Sequence, residues 1–354
     1  MLRRRDLGHR IVVRRIVGIR GDRPVFADSL GELVELTDTH LTVATARGPV
    51  QVPLREVHRA KRVPAPRRAT GAQIAALELA AADSWPAPVR ERLGDWWLRA
   101  AERWTGRANS ALPVGDPGMP LDEAIDHAQR WYAARAQPAL INVPLPLAAP
   151  VNAMLDERGW RTGPPVLVQT APLAALLNAV PDRGDLPAVD LRAAPTDAWL
   201  DLVAARKAGG RPSPLPPAAR HVLTAVDQVR FAHAYAGTGR DRPDDGGLLA
   251  VARGTVTGQG RWLGLALVEV VPDARRRGLA QQVTAALARW AYDLGATHAF
   301  LQVEEHNVAA RALYRRLGFT THHTYAPRSE PLSEPRSGAG RTASAARPAA
   351  AWPA

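Results

Sequence analysis

The sequence predicts an α+β (mixed α/β) chain: a small N-terminal β-barrel, two copies of one α/β unit, and a disordered tail. Three observations carry this. Short apolar segments separated by turn signals fill the start of the chain. An ungapped offset of 159 residues joins Pro113 to Pro272, Arg130-Trp131 to Arg289-Trp290 and Gly159-Trp160 to Gly318-Phe319, as a duplication would. After Tyr325 the composition falls to Ser, Pro, Ala, Gly and Arg, which cannot bury a core.

The barrel is assigned to residues 1–66 and is of the SH3-like kind. Its expected strands are Ile11-Val12-Val13, Ile16-Val17, Gly31 to Leu36, Leu41 to Thr45 and Val50 to Leu54, with turns at Thr37 to His40 and Arg47-Gly48-Pro49. Pro64 to Arg68 reads as a linker. The first α/β unit is placed at 67–178, with a helix from Gln73 to Asp83 and strands at Trp96 to Leu98 and about Asn109 to Val114. The second is placed at 179–326 and the tail at 327–354; the proline-rich loop Gly209 to Pro217 lies inside the second copy.

The chain has 354 residues, nearly half of them apolar, enough for two or three domains with real cores. The net charge of +12 comes almost wholly from arginine, since Lys61 and Lys207 are the only lysines. It fits either a GC-rich genome or affinity for polyanions, nucleic acid or cofactor phosphate. No cysteine is present, which excludes disulfides, thiolate nucleophiles and cysteine-held zinc. The basic start, Met1 to Asp6, leads into no apolar run, and no stretch suits a membrane span, so a cytoplasmic protein is expected.

One segment points to a ligand. An apolar run from Leu263 to Val271 reads as a strand stopped by Pro272. Arg275, Arg276 and Arg277 follow, and from Gly278 a helix begins with Leu279, Val283, Leu287 and Leu294 at helical spacing. The first N–H groups of such a helix lack intrahelical partners, Gly278 and Ala280 keep the turn free of bulk, and the arginines add positive charge. The product is a socket for a pyrophosphate. The first copy has Asp116-Pro117-Gly118-Met119-Pro120-Leu121 opposite Arg275 to Ala280, with no arginine, so only the second copy keeps the socket.

Ala299 to Val303 then reads as a strand, and Val308 to Leu317 as a helix ended by Gly318. Asn307 and Tyr314, seven apart, share a face, with Ala310 between them leaving room for a ligand; Leu313 and Leu317 point into the core. His322-His323 reads as structural, because no further metal ligands stand at suitable spacing, and Trp96, Trp97 and Trp104 read as packing.

Arg275-x-x-Gly278-x-Ala280 after a strand, then Asn307-x-x-Ala310-x-x-Leu313-Tyr314-x-x-x-Gly318-Phe319, resembles the GCN5-related N-acetyltransferases. The whole layout is similar to actinobacterial histone acetyltransferase-like proteins that open on an SH3-like domain. The resemblance implies acetyl-CoA as co-substrate and no metal. Val270 and Val271 would pair with its pantetheine arm, the N–H groups of Arg276, Arg277, Gly278, Leu279 and Ala280 would hold the pyrophosphate, and Arg275 would sit beside it. Asn307 would bond the pantetheine, and Tyr314 would protonate the departing thiolate as general acid. Glu269 on the strand, or Glu304 or Glu305 at the next strand end, would accept the amine proton. Transfer to a primary amine, a protein lysine or a small molecule, would be direct in a ternary complex, as no cysteine can carry the acetyl group. The alternative is a non-catalytic acetyl-CoA sensor or adaptor whose basic barrel docks nucleic acid or protein.

Overall fold

The computed structural model describes residues 2–21, 23–45, 48–63, 69–180, 183–207, 214–236 and 247–331. The expected linker 64–68, the first half of the proline-rich loop and the tail from 332 lie outside the described residues. Contacts divide the chain into two compact units, Met1–Arg68 and Ala69–Ala354.

The first unit is one antiparallel sheet of β1 (Arg10–Arg20), β2 (Arg23–Leu36), β3 (His40–Thr45), β4 (Gly48–Pro53) and β5 (Val57–Arg62), ordered β4-β3-β2-β1-β5. Five strands were expected, but with different membership. Ile11 to Val13 and Ile16-Val17 are parts of one strand, and β5 was missed because its sequence, VHRAKR, is mostly polar. Period-two alternation buries Ile11, Val13, Leu33, Leu41, Val43 and Val52 on one face. Gly31 is required where β2 crosses β3, since a Cβ there would stand 2.1 Å from the Ala44 carbonyl oxygen.

The second unit begins with α1 (Gly71–Asp83), started by a capping box between Thr70 and Gln73. β6 (Val89–Leu93) and β7 (Trp96–Ala100) form a separate hairpin. The strand expected at Asn109 to Val114 is instead a 3₁₀ turn, Gly106–Asn109, followed by isolated bridges at Ala111 and Leu112. Asn109 explains it: its side chain bonds backbone groups of Ala101, Arg103 and Thr105 and holds the turn closed. Then come α2 (Leu121–Ala133), β8 (Leu140–Leu145), α3 (Ala149–Glu157), β9 (Arg161–Thr162), β10 (Val166–Pro172) and α4 (Leu173–Ala179). The second half carries β11 (Val189–Arg192), α5 (Asp197–Lys207), α6 (Pro217–Thr224), β12 (Val229–Tyr235), β13 (Leu248–Thr257), β14 (Trp262–Val270), α7 (Leu279–Asp293), β15 (His298–Glu304), α8 (Val308–Arg316) and β16 (Thr320–Ser329).

The 159-residue echo runs through these elements. α3 and α8 both have nine residues and start 159 apart (308 − 149), and β8 and β15 start within one residue of the same offset. The copies nonetheless interleave in one sheet, ordered β11-β12-β13-β14-β15-β10-β16-β8, with β9 pairing to β16. β10, from the first half, lies between β15 and β16 of the second, and β16 lies between β10 and β8 of the first. Val166 pairs with Tyr325, its own counterpart at the 159-residue offset, so a local pseudo-twofold passes between β10 and β16.

This exchange also corrects the tail boundary. Ala326 to Ser329 form a ladder with Val143 to Leu140, and all four are buried. Pro327, Arg328 and Ser329 therefore belong to the sheet, which supplies the burial that their own composition does not.

α7 packs Leu279, Val283 and Leu287 against the sheet, each under 2% exposed and worth about 1.5–3 kcal/mol. Leu294, expected on that stripe, lies past the helix end and is exposed. α8 adds Tyr314 and Leu317 to the same core, while α1 covers the opposite face through Leu77 and Ala81 on Val166, Val168, Phe300 and Tyr325.

Candidate active site

The site begins where two parallel strands part. β14 and β15 pair over only four residues each, Trp262 to Leu265 against His298 to Leu301. Gly264 permits this contact, since a Cβ there would stand 2.8 Å from Phe300 Cζ. Beyond Leu265 the strands diverge, and β14 accommodates one extra residue against β13, the register passing from Arg253↔Ala266 to Val251↔Glu269. Leu267, inside this bulge, has φ +53°. The result is a V-shaped gap in the middle of a continuous sheet, with unpaired strand edges facing it. Neither bulge nor gap was read from the sequence; the nearest signal was a glycine in an otherwise apolar strand.

The turn expected to form a socket lies at the end of β14. Arg276 and Gly278 have left-handed φ values, +62° and +100°, and Gly278 is the N-cap of α7. The first intrahelical bond is from the Gln282 N–H to the Gly278 carbonyl. Among the described residues, no hydrogen bond is made by the N–H groups of Arg276, Arg277, Gly278, Leu279, Ala280 or Gln281. Arg275, Arg276 and Arg277 are exposed around this row, while the Leu279 side chain anchors the turn in the core. A cavity of about 470 Å³ opens alongside, lined by Arg183, Leu186, Gly278, Gln281 and Arg289.

The strand end needs one correction. Val271 was expected to offer its backbone to a ligand, but its N–H donates to the Leu249 carbonyl and its carbonyl accepts from Ala274. Alternation in an antiparallel ladder then turns the neighbouring Val270 groups toward the gap. The Val270 carbonyl accepts a long, 3.3 Å bond from exposed Arg275 Nε.

Across the gap, Asn307 caps α8 by accepting from the Ala310 N–H at 3.1 Å, leaving its amide NH₂ free to donate. Ala310 is partly buried against the core. Tyr314, expected on a ligand-facing side with Leu313 and Leu317 inward, is itself the buried residue of α8, with its ring edge-on to Phe319 at 5.5 Å. Burial raises its pKa above the ordinary tyrosine value, and the nearby Glu269 carboxylate raises it further, so the hydroxyl is held as a proton donor. Glu269 is one-fifth exposed and bonds Arg206 of α5 at 3.2 Å. Glu304 pairs with His306 at 2.9 Å, and Glu305 is exposed on the turn. His323 Nε2 meets buried Glu78 at 2.7 Å, and the Nδ1 atoms of His322 and His323 lie 2.9 Å apart.

A family model described as "Probable histone acetyltransferase Rv0428c C-terminal" matches residues 71–326. The probable histone acetyltransferase Rv0428c of Mycobacterium tuberculosis (strain ATCC 25618 / H37Rv) is 30% identical over 326 residues, covering 90% of this chain and 93% of that protein. The uncharacterized N-acetyltransferase YobR of Bacillus subtilis (strain 168) is 26% identical over 248 residues, 70% of this chain and 94% of that one. Among solved structures, a GCN5-related N-acetyltransferase from Kribbella flavida matches with a TM-score of 0.53 at 18% identity, over 75% of this chain and 97% of that chain, a likeness of fold. With its split parallel strands and open helix N-terminus, the chain has the fold of a GCN5-related N-acetyltransferase and belongs to the acetyltransferase family of the probable histone acetyltransferase Rv0428c.

Proposed function

We propose that the protein transfers an acetyl group directly from acetyl-CoA to a primary amine at the gap between β14 and β15. The observation that carries this is the gap itself, with six consecutive N–H groups at its α7 side that make no hydrogen bond among the described residues. Those N–H groups and the exposed arginines supply fixed donors and positive charge for a pyrophosphate. Val270 offers the strand edge that can pair with an amide-bearing arm, and the Asn307 NH₂ offers a second donor.

Chemically, the neutral amine attacks the thioester carbonyl carbon, the C–S bond breaks, and Tyr314 gives its proton to the leaving sulfur. Glu269 and Glu304 are the acceptors for the amine proton: both are partly buried, one on β14 and one at the end of β15. The name of the mycobacterial relative would suggest a basic protein as acceptor. The test is thiol release from acetyl-CoA with a panel of amines, with product mass, for wild type and Tyr314→Phe. Turnover that falls about 10²–10⁴-fold in the variant supports the reading. Tight acetyl-CoA binding with no turnover on any amine would point to a sensor instead.

A further inference from the structure

The sheet of the first unit buries one face and leaves the other to solvent. On β1, Ile11 and Val13 point into the core, so alternation turns Val12, Arg14 and Ile16 outward. Residues opposite one another in a ladder share a face. On the outer face, Leu30 of β2 and Lys61 of β5 therefore flank Val12. One row on, Asp28 and Arg59 flank Arg14, and in the next row Phe26 stands beside Ile16. Rows are two residues, about 6.6 Å, apart. His58 is an extra residue in β5 between Arg59 and Val57, and its ring lies 4.8 Å from that of Phe26.

This face is apolar and open at once. Phe26 is 40% exposed and Leu30 43%, and the His58 side is exposed as well. Beyond Arg15 the two long strands pair only with each other, and Ile19, Arg20, Arg23 and Val25 are all exposed on that ribbon. A contiguous apolar strip of this kind marks a contact surface.

The charge around the strip is positive. Residues 1–68 hold fifteen arginines and lysines and seven acids, so less than a fifth of the chain carries eight of its twelve net positive charges. The face has two acids of its own. Arg14 holds Asp28 by two bonds of 2.9 and 2.8 Å, and Glu32 stands opposite Arg10 at the far end. Arg59 and Lys61 remain exposed on β5, one and two rows from Phe26.

An exposed ring beside spaced cations suits a ligand with flat apolar faces and repeated negative charge. A single nucleic-acid strand has both, since its bases stack on aromatic rings while its phosphates follow a basic track. A duplex hides its base faces and would leave the strip uncovered. A second copy of the unit would bring eight more positive charges against the first. We propose that the outer face of β2, β1 and β5 binds single-stranded nucleic acid, with Phe26 and His58 as the stacking platform and Arg59 and Lys61 as phosphate contacts. This site is separate from the acetyl-transfer reading and does not rest on it.

The test is fluorescence anisotropy of the full chain with labelled oligouridylate and oligothymidylate of about twenty nucleotides, beside a duplex of equal length, between about 50 and 200 mM salt. Polyglutamate and phosphatidylserine vesicles are the competing arms. Single strands should bind several-fold more tightly than the duplex. Phe26→Ala should weaken them about tenfold with the salt slope unchanged, and Phe26→Tyr should keep most of the affinity. Arg59→Gln with Lys61→Gln should flatten the fall of log K with log salt by about 1.4, two contacts at about 0.7 each. All variants should melt and bind acetyl-CoA as wild type does; should Phe26→Ala melt early, the double variant, which keeps the ring, decides. A duplex bound as tightly as a single strand, equal losses on both from Phe26→Ala, or an unchanged slope in the double variant would overturn the assignment. So would displacement of the strand by polyglutamate or vesicles at matched charge, which would mark an acidic protein or a membrane as the partner. No binding at about 50 mM salt would remove the proposal and leave acetyl transfer standing.

Discussion

Replacing Gly278 with alanine should weaken acetyl-CoA binding by roughly thirty- to a hundredfold while leaving the protein folded. The neighbours do not forbid the methyl: a Cβ would lie 3.4 Å from Leu186 Cδ1 and 3.6 Å from Arg183 Nη1, ordinary contacts. The cost lies in the backbone, because Gly278 sits at φ +100° and ψ −1°. An L-residue held in left-handed geometry costs about 1–2 kcal/mol. If the residue relaxes instead, the N–H groups of Gly278, Leu279 and Ala280 turn away from their common focus. Losing even one hydrogen bond to a charged phosphate costs about 1.5–3 kcal/mol. Binding falls by this second route, because strain present with and without the ligand cancels; with three N–H groups turning together it comes to about 2–3 kcal/mol. Global stability should fall by no more than about 2 kcal/mol, since Leu279, Val283 and Leu287 still anchor α7. Titration calorimetry with acetyl-CoA, beside a thermal melt, measures both. A dissociation constant within twofold of wild type would refute the socket.

Three further outcomes are expected. Because burial and Glu269 raise the Tyr314 pKa, its acid form should persist to above about pH 10, so no alkaline loss of kcat below that pH should trace to Tyr314; an alkaline limb abolished by Tyr314→Phe would contradict this. Glu78→Leu should leave buried His323 without its 2.7 Å partner and cost about 2 kcal/mol in urea unfolding, with Glu78→Gln costing clearly less; equal losses would show that packing, not the bond, matters. In the first unit, the Arg3 N–H and the Arg62 guanidinium hold Asp6 below its usual carboxylate range. A group depressed on folding stabilises above its unfolded pKa and loses that contribution as pH falls through the folded one. The melting temperature should therefore drop below about pH 4, and Asp6→Asn should shrink that drop; an unchanged acid limb in the variant would exclude Asp6 as its source.

Much of the candidate site was legible because its signals are local. A proline that stops a strand, a glycine that accepts φ +100° and a row of N–H groups at a helix start follow from a dozen consecutive residues. Asn307 as cap followed from the same local chemistry. Where pairing was needed, the local reading fell short. Val271 was assigned to the ligand although Leu249 and Ala274 take both its backbone groups, and Tyr314 was placed on an open face although Phe319 packs against it.

By itself the sequence determined the α+β class, the glycine turn that opens α7, the following helix α8 and the 159-residue echo, all of which rest on turn chemistry and periodicity. Tertiary structure alone decided that the two copies interleave, with β10 between β15 and β16, and that the strand continues through Ser329. Strand order depends on which edges bury the most apolar surface and complete the most ladder bonds, a choice made among segments more than a hundred residues apart, and nothing in the local pattern of any one strand records it.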